Sequence, residues 1–198
     1  MGSDLPFSCQ CGAVTGVVTE ASPADGDHVV CHCTDCRALT RYLGHSERVL
    51  DRNGGTELYQ SRCARLRIAS GLDHLATLHL TDKPLMRWYA ACRRSPLFNT
   101  WANGRVPFVT THLSACNPDQ VNAVLGPPKG HLFLREALGD TGGLHELTFM
   151  GLTWGYLKRA AKDTLSGDRR RCPLFDHDTL APIVAPYRLS REERRALD

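Results

Sequence analysis

The stretch Cys31-His32-Cys33-Thr34-Asp35-Cys36-Arg37 constrains the fold more than any other part of the chain. Its three thiols sit close together, and a turn-forming pair separates the last two. This spacing lets one short segment wrap a single zinc ion, because Zn²⁺ takes soft thiolates in a tetrahedral arrangement. A second close pair, Cys9-Gln10-Cys11-Gly12, lies upstream. Neither pattern decides the matter alone; together they make metal binding the reading of these thiols.

The rest of the composition supports that use of cysteine. Met1-Gly2-Ser3-Asp4-Leu5-Pro6 has neither the basic segment nor the apolar run of a signal peptide, and Pro6 stands where a myristoylation signal wants Ser or Thr. No apolar stretch is long enough to cross a bilayer, so a cytoplasmic protein with no membrane partner is expected. In that reducing compartment nine cysteines are poorly explained by disulfides. A net charge of +3, with basic residues scattered until the C-terminal part, gives no case for a nucleic-acid partner. At 198 residues the chain suits one core with a sizeable appendage.

Taken in order, Gly12 can adopt the positive φ that turns backbone amides toward a thiolate, and residues 13–18 have the β-branched content of a strand. Residues 20–28 are a loop. After the cysteine run, Thr34 is placed to cap a helix reaching Tyr42 and aiming the Cys36 sulfur back at the pair before it. His32 alternates with its neighbours in an extended segment, so its side chain points away from theirs and it reads as a residue behind the site or on the surface in preference to a ligand.

Residues 49–90 read as an antiparallel meander with strands at 57–60, 66–70, 75–80 and 85–89, and His74 and His79 as structural or exposed. Asn117-Pro118-Asp119-Gln120 starts a helix that ends at Leu125 before Gly126-Pro127-Pro128. Leu147, Met150, Trp154, Leu157 and Ala161 recur at helical spacing, a stripe expected to pack into the core. Arg169-Arg170-Arg171 reads as solvated, or as a grip on an acidic group, and Arg191 to Arg195 as a solvated helix. The expected class is mostly β (α+β), with a zinc-binding β-rich domain over 1–115 and a helical extension over 116–198 packed on the same core.

Cys9-x-Cys11-Gly12-x-Val14 followed by Cys31-His32-Cys33-x-x-Cys36-Arg37, with a later aromatic-rich strand leading into Ser95-Pro96-Leu97-Phe98, resembles the glutathione-dependent formaldehyde-activating enzyme family over roughly residues 7–100. The resemblance implies zinc-stapled antiparallel sheets related to the Mss4-like proteins. It also implies carbon–sulfur lyase chemistry on adducts of a glutathione-like thiol with a carbonyl compound. In that family the Cys-x-Cys pair joins a later Cys-x-x-Cys pair around a structural zinc, while the central three thiols hold a catalytic one. The central run transfers to Cys31, Cys33 and Cys36. The later pair falls at Ala90 and Arg93, with Cys92 beside the second position but out of register. Cys9 and Cys11 then have Cys92, Cys63 or Cys116 as partners to recruit, or stay metal-free.

With three thiols in the central run, the fourth zinc ligand is either a distant cysteine or something exchangeable. An exchangeable position makes the protein an enzyme that binds a thiol there, with Arg37 and Arg93 as candidate holders of the thiol's carboxylate. A closed four-ligand site makes it a non-catalytic zinc-binding interaction module.

Overall fold

The computed structural model describes Gly2–Asp198. The chain opens with β1 (Ser3–Ser8), β2 (Thr15–Ala21) and β3 (Asp27–Cys31), and β3 runs directly into the cysteine run and α1 (Thr34–Leu43). A short α2 (Ser46–Val49) is followed by β4 (Thr56–Ser61), β5 (Leu66–Ser70), β6 (Leu75–His79), β7 (Leu85–Ala90), β8 (Ser95–Trp101) and β9 (Val109–His112). The remainder holds α3 (Pro118–Leu125), β10 (His131–Leu132), α4 (Phe149–Leu165), β11 (Tyr187–Arg188) and α5 (Arg191–Arg195). The class is mixed α+β with more sheet than helix.

Two sheets result, a three-stranded one ordered β1-β2-β5 and an eight-stranded one ordered β10-β3-β4-β9-β8-β7-β6-β11. The expected strands of residues 49–90 exist, but they do not form one meander. A single turn of 3₁₀ helix at Cys63–Arg65 takes the chain from β4 in the large sheet to β5, which pairs with β2 in the small one. Only β6 to β9 run as a meander.

The main core lies between the sheets, where Phe7, Val18, Leu66, Trp88 and Phe98 are buried together and the Phe7 and Phe98 rings meet edge to face at 5.0 Å. Burying each such side chain contributes about 1.5–3 kcal/mol relative to leaving it in water. The opposite side of the large sheet carries α1, whose Leu39 and Leu43 pack with Leu78, Leu80 and Leu189. Gly44 ends that helix with φ 75°, and its N–H donates to the Arg41 carbonyl.

The region after residue 115 is not only helical. It supplies both edges of the large sheet, β10 beside β3 and β11 beside β6, each parallel to its neighbour. The α3 helix starts as read from the sequence, with Asn117 Oδ1 accepting from the Asp119 and Gln120 amides.

The α4 helix lies with the other face inward. Met150, Trp154 and Leu157, expected in the core, are 83%, 62% and 49% exposed. The stripe that faces the protein is Leu152, Tyr156, Arg159 and Asp163, one helical face at spacings of four and three. Arg159 pairs with Asp27, and the fully buried Asp163 accepts from Arg62 Nε at 2.6 Å. Buried charges must be paired, so these ion pairs choose the inward face over the more apolar stripe. Cys63 and Cys172, both buried, form a disulfide with Cα atoms 5.1 Å apart, a pairing that the expectation of a reducing compartment disfavours. Among the described residues no helix is long and apolar enough to cross a membrane.

Candidate metal centre

The inner cluster is built where β3 turns into α1. Cys31 is the last residue of β3, and Cys33, not Thr34, is the helix cap: its Sγ accepts from the Cys36 amide at 3.4 Å. The cap brings the helix N-terminus, with its partial positive charge, against the sulfurs. Cys31 Sγ lies 3.4 Å from Cys33 Sγ and 3.7 Å from Cys36 Sγ. The sulfur contacts with Cys31 and Cys33 hold the Cys36 thiol well below its ordinary value against the effect of burial, with help from the Arg87 guanidinium. The contacts with Cys33 and Cys36, with burial, push Cys31 well above it.

His32 alternates away as expected, and it is fully buried. Its Nδ1 donates to the Asn53 carbonyl at 3.2 Å and its Nε2 meets His131 Nδ1 at 2.9 Å, which ties the cysteine segment to β10 from behind. Arg37 is buried too, and its Nη1 donates to the carbonyls of His32 (2.5 Å) and Glu136 (2.7 Å).

All three inner cysteines line a cavity of about 470 Å³. Its walls come from β3, β4, β7 and β8 and from the C-terminal region through Leu132, Phe133, Leu152 and Tyr156. Its floor is a buried polar chain. Arg87 Nη1 donates toward Cys36 Sγ (3.8 Å) and to Asn99 Oδ1 (3.0 Å), Asn99 Nδ2 donates to Thr110 Oγ1 (2.8 Å), and His112 Nε2 lies 3.3 Å from Asn99 Oδ1. Among the described residues Arg87 has no carboxylate partner, so the thiol cluster is its counter-charge.

The outer cluster joins two turns. Gly12, at φ 77°, lets the chain double back so that the Val14 amide donates to Cys9 Sγ at 3.2 Å. Cys92, in the turn between β7 and β8, brings its Sγ to 3.7 Å from that of Cys9 and 3.1 Å from that of Cys11. The Gln10 amide donates to Ser95 Oγ at 3.1 Å and fastens the two turns together. The contact with Cys92 lowers the exposed Cys11 thiol to about 7.

The profile of the family described as "Family of unknown function (DUF6151)" matches residues 1–184. The chain belongs to the DUF6151 family. No curated protein matches it. Among solved structures, a Rhodobacter sphaeroides protein determined as a structural genomics target is similar over 61% of this chain and 98% of its own, with 18% identity and a TM-score of 0.42.

In this DUF6151 chain each cysteine triad can hold a metal ion, and among the described residues neither includes a fourth Cys, His, Asp or Glu ligand. Of the partners open to Cys9 and Cys11, the structure selects Cys92; Cys63 is in the disulfide and Cys116 is buried apart from both triads. The two arginines read from the sequence as substrate holders do not line the inner cavity. Arg37 is spent on backbone carbonyls, and the exposed Arg93 lies in the β7–β8 turn, where its carbonyl accepts from His45 Nε2. Arg87 is the cation at the inner triad. Its signal in the sequence is a charge between Met86 and Trp88 in an otherwise apolar strand, where alternation sends it to the face opposite the main core.

Proposed function

We propose that the inner triad holds zinc with three protein ligands and that the protein is a carbon–sulfur lyase acting on adducts of a thiol with a carbonyl compound. The observation that carries this reading is the convergence of Cys31, Cys33 and Cys36 on one wall of the 470 Å³ cavity with no fourth ligand among the described residues. Thiolates about 2.3 Å from a tetrahedral ion lie about 3.8 Å apart, close to the sulfur separations of 3.4 and 3.7 Å in the inner triad. Three thiolates and a divalent ion leave one net negative charge, and Arg87 offsets it without closing the site.

When bound, zinc would supply a Lewis-acidic position that favours a thiolate over a thiol near neutral pH. The chain's own contributions are distinct from this. Cys33 caps α1 and fixes the sulfur geometry, His32 and Arg37 lock the backbone of the cysteine run, and the Arg87–Asn99 pair presents donors to an oxygen developing charge beside the sulfur. The resemblance of residues 7–100 to the formaldehyde-activating family points to the same chemistry. The exposed stripe of Met150, Trp154 and Leu157 on α4 favours the second reading, an interaction module with purely structural metal.

Substitution of cobalt for the native metal separates the two. A lyase site shows sulfur-to-metal charge-transfer bands for three thiolates that intensify when a thiol is added, and Cys36→Ser abolishes the response. Bands of four sulfurs indifferent to every thiol would leave the interaction module.

A further inference from the structure

The cavity that adjoins the inner triad is too large and too apolar for the smallest adducts the chemistry allows. Trp101, Phe108 and Tyr156 form one continuous wall, with ring centroids 6.3 Å apart for the first pair and 5.7 Å for the second, both edge to face. Leu132 and Leu152 extend that wall from β10 and α4. Two of these elements lie beyond residue 100, so the resemblance carries no expectation about them.

Charge at the site argues in the same direction. The mouth carries Asp35 and Glu136 beside the cysteines. Asp35 is paired with Lys83 at 3.0 Å and with Arg194 at 3.3 Å. A glutathione-like thiol would bring two carboxylates to a rim whose cations are already engaged by Asp35. Formaldehyde as the carbonyl partner would leave most of 470 Å³ to water against aromatic rings, which is unfavourable for the rings and supplies the water few partners. Inside, Arg87, Asn99 and Thr110 are linked polar groups on the floor beside Cys36, and Gln60 and Thr153 add polar groups elsewhere in the lining.

We propose that the substrate class is a hemithioacetal with an apolar, ring-sized body, its body on the Trp101–Phe108–Tyr156 wall and its hydroxyl oxygen toward Arg87. This rests on the lyase reading above. In the cleavage direction the carbon–sulfur bond breaks and its electron pair stays on sulfur as thiolate. The hydroxyl proton leaves to water and the carbon–oxygen double bond forms. No oxidant or reductant is consumed, and the reverse direction is addition of the thiolate to an apolar aldehyde.

The test has two arms, both on the full-length metal-loaded protein. In the first, benzyl methyl ether, which has a ring and an acceptor oxygen but no sulfur, is titrated while the methyl signals of Leu132 and Leu152 are followed by NMR. It is expected to shift both, and Leu152→Trp, which fills the cavity from α4, to weaken binding at least tenfold. Should that variant fail to fold, Leu152→Phe gives a smaller loss in the same direction. In the second arm, benzyl mercaptan and glutathione are titrated into the cobalt protein, and benzyl mercaptan is expected to half-saturate the charge-transfer change at a concentration at least tenfold lower. Glutathione binding as well as benzyl mercaptan, or no shift with the ether while thiols still reach the metal, overturns the substrate class and leaves the lyase reading standing. Ether binding together with a cobalt spectrum indifferent to both thiols overturns the lyase reading and, with it, the hemithioacetal assignment.

Discussion

The two cysteine triads offer the same three sulfurs at nearly the same separations, yet they are set in opposite surroundings. The inner one is drawn from a single short segment, buried at a helix cap, backed by a buried arginine and open to a cavity. The outer one fastens two surface turns, and both Cys11 and Cys92 are exposed. Ligand identity alone therefore does not separate a reactive centre from a clasp. What separates them is what the sulfurs face: a largely apolar cavity in one case and bulk water in the other.

The largest test of that contrast removes one triad at a time. Cys36→Ser is expected to remove roughly one metal equivalent and the whole thiol response, since a three-ligand site loses most of its affinity with one thiolate. Cys11→Ser combined with Cys92→Ser is expected to cost metal at the outer turns and leave the response intact. Elemental analysis alongside cobalt spectra reads both, and a response lost on the outer substitution would erase the distinction.

Next in size is the arginine. Arg87→Met should weaken inner-site metal affinity by roughly 10–100-fold, the range for removing a group that supports metal ligands. Arg87→Lys should restore part of it. Competition with a chromophoric chelator measures this, and equal losses at the outer site would show that the substitution acts on the fold instead.

A smaller effect comes from His112. Burial, with the Arg87 charge, pushes its imidazole from 6.5 down to about 3. The folded chain keeps it neutral while the unfolded chain takes up a proton below about pH 6.5. Its contribution to stability is thus complete above 6.5 and lost as pH falls toward 3, at up to about 1.4 kcal/mol per pH unit. Urea unfolding of metal-free protein at pH 7, 5.5 and 4.5 should show a shallower decline in His112→Gln than in the parent.

The smallest concerns the mouth of the cavity. Lys83→Ala breaks the pair with Asp35, in which the lysine side chain is 71% exposed, and should change stability by less than about 1 kcal/mol. Thiol binding is expected to be unchanged, because the charge that matters to the sulfur end is Arg87. A clear weakening would move the polar anchor from the floor to the rim.

Much of this was legible from residues alone, and the failures share a cause. Local signals held: the spacing of Cys31, Cys33 and Cys36, the turn at Gly12, the capped helix at Asn117, and the strands at 66–70 and 75–80. Contacts between distant segments did not show. Cys92 reaches Cys9 only because two turns from different sheets abut, and Cys63 meets Cys172 across a separation of 109 residues. On α4, periodicity marks the stripe of Met150, Trp154 and Leu157, whereas the face that turns inward carries Arg159 and Asp163. The choice rests on Asp27 and Arg62, which supply buried partners for Arg159 and Asp163. Arg87 was passed over for Arg37 and Arg93 because nearness in sequence to a cysteine is a poor guide to nearness in space.

The sequence span of each triad also sets an order in time. The inner sulfurs are within five positions of one another, so the set is complete as soon as Cys36 has left the ribosome. The outer set waits for Cys92, 83 positions after Cys9, which at about 5–20 residues per second is a delay on the order of several seconds. The cavity closes later still, when Leu152 and Tyr156 arrive. An ion taken up during synthesis would therefore be chosen by three bare thiols on a nascent segment, with no pocket yet present to screen what reaches them. Its identity would follow which soft ion the cell keeps available at that moment and not the finished fold.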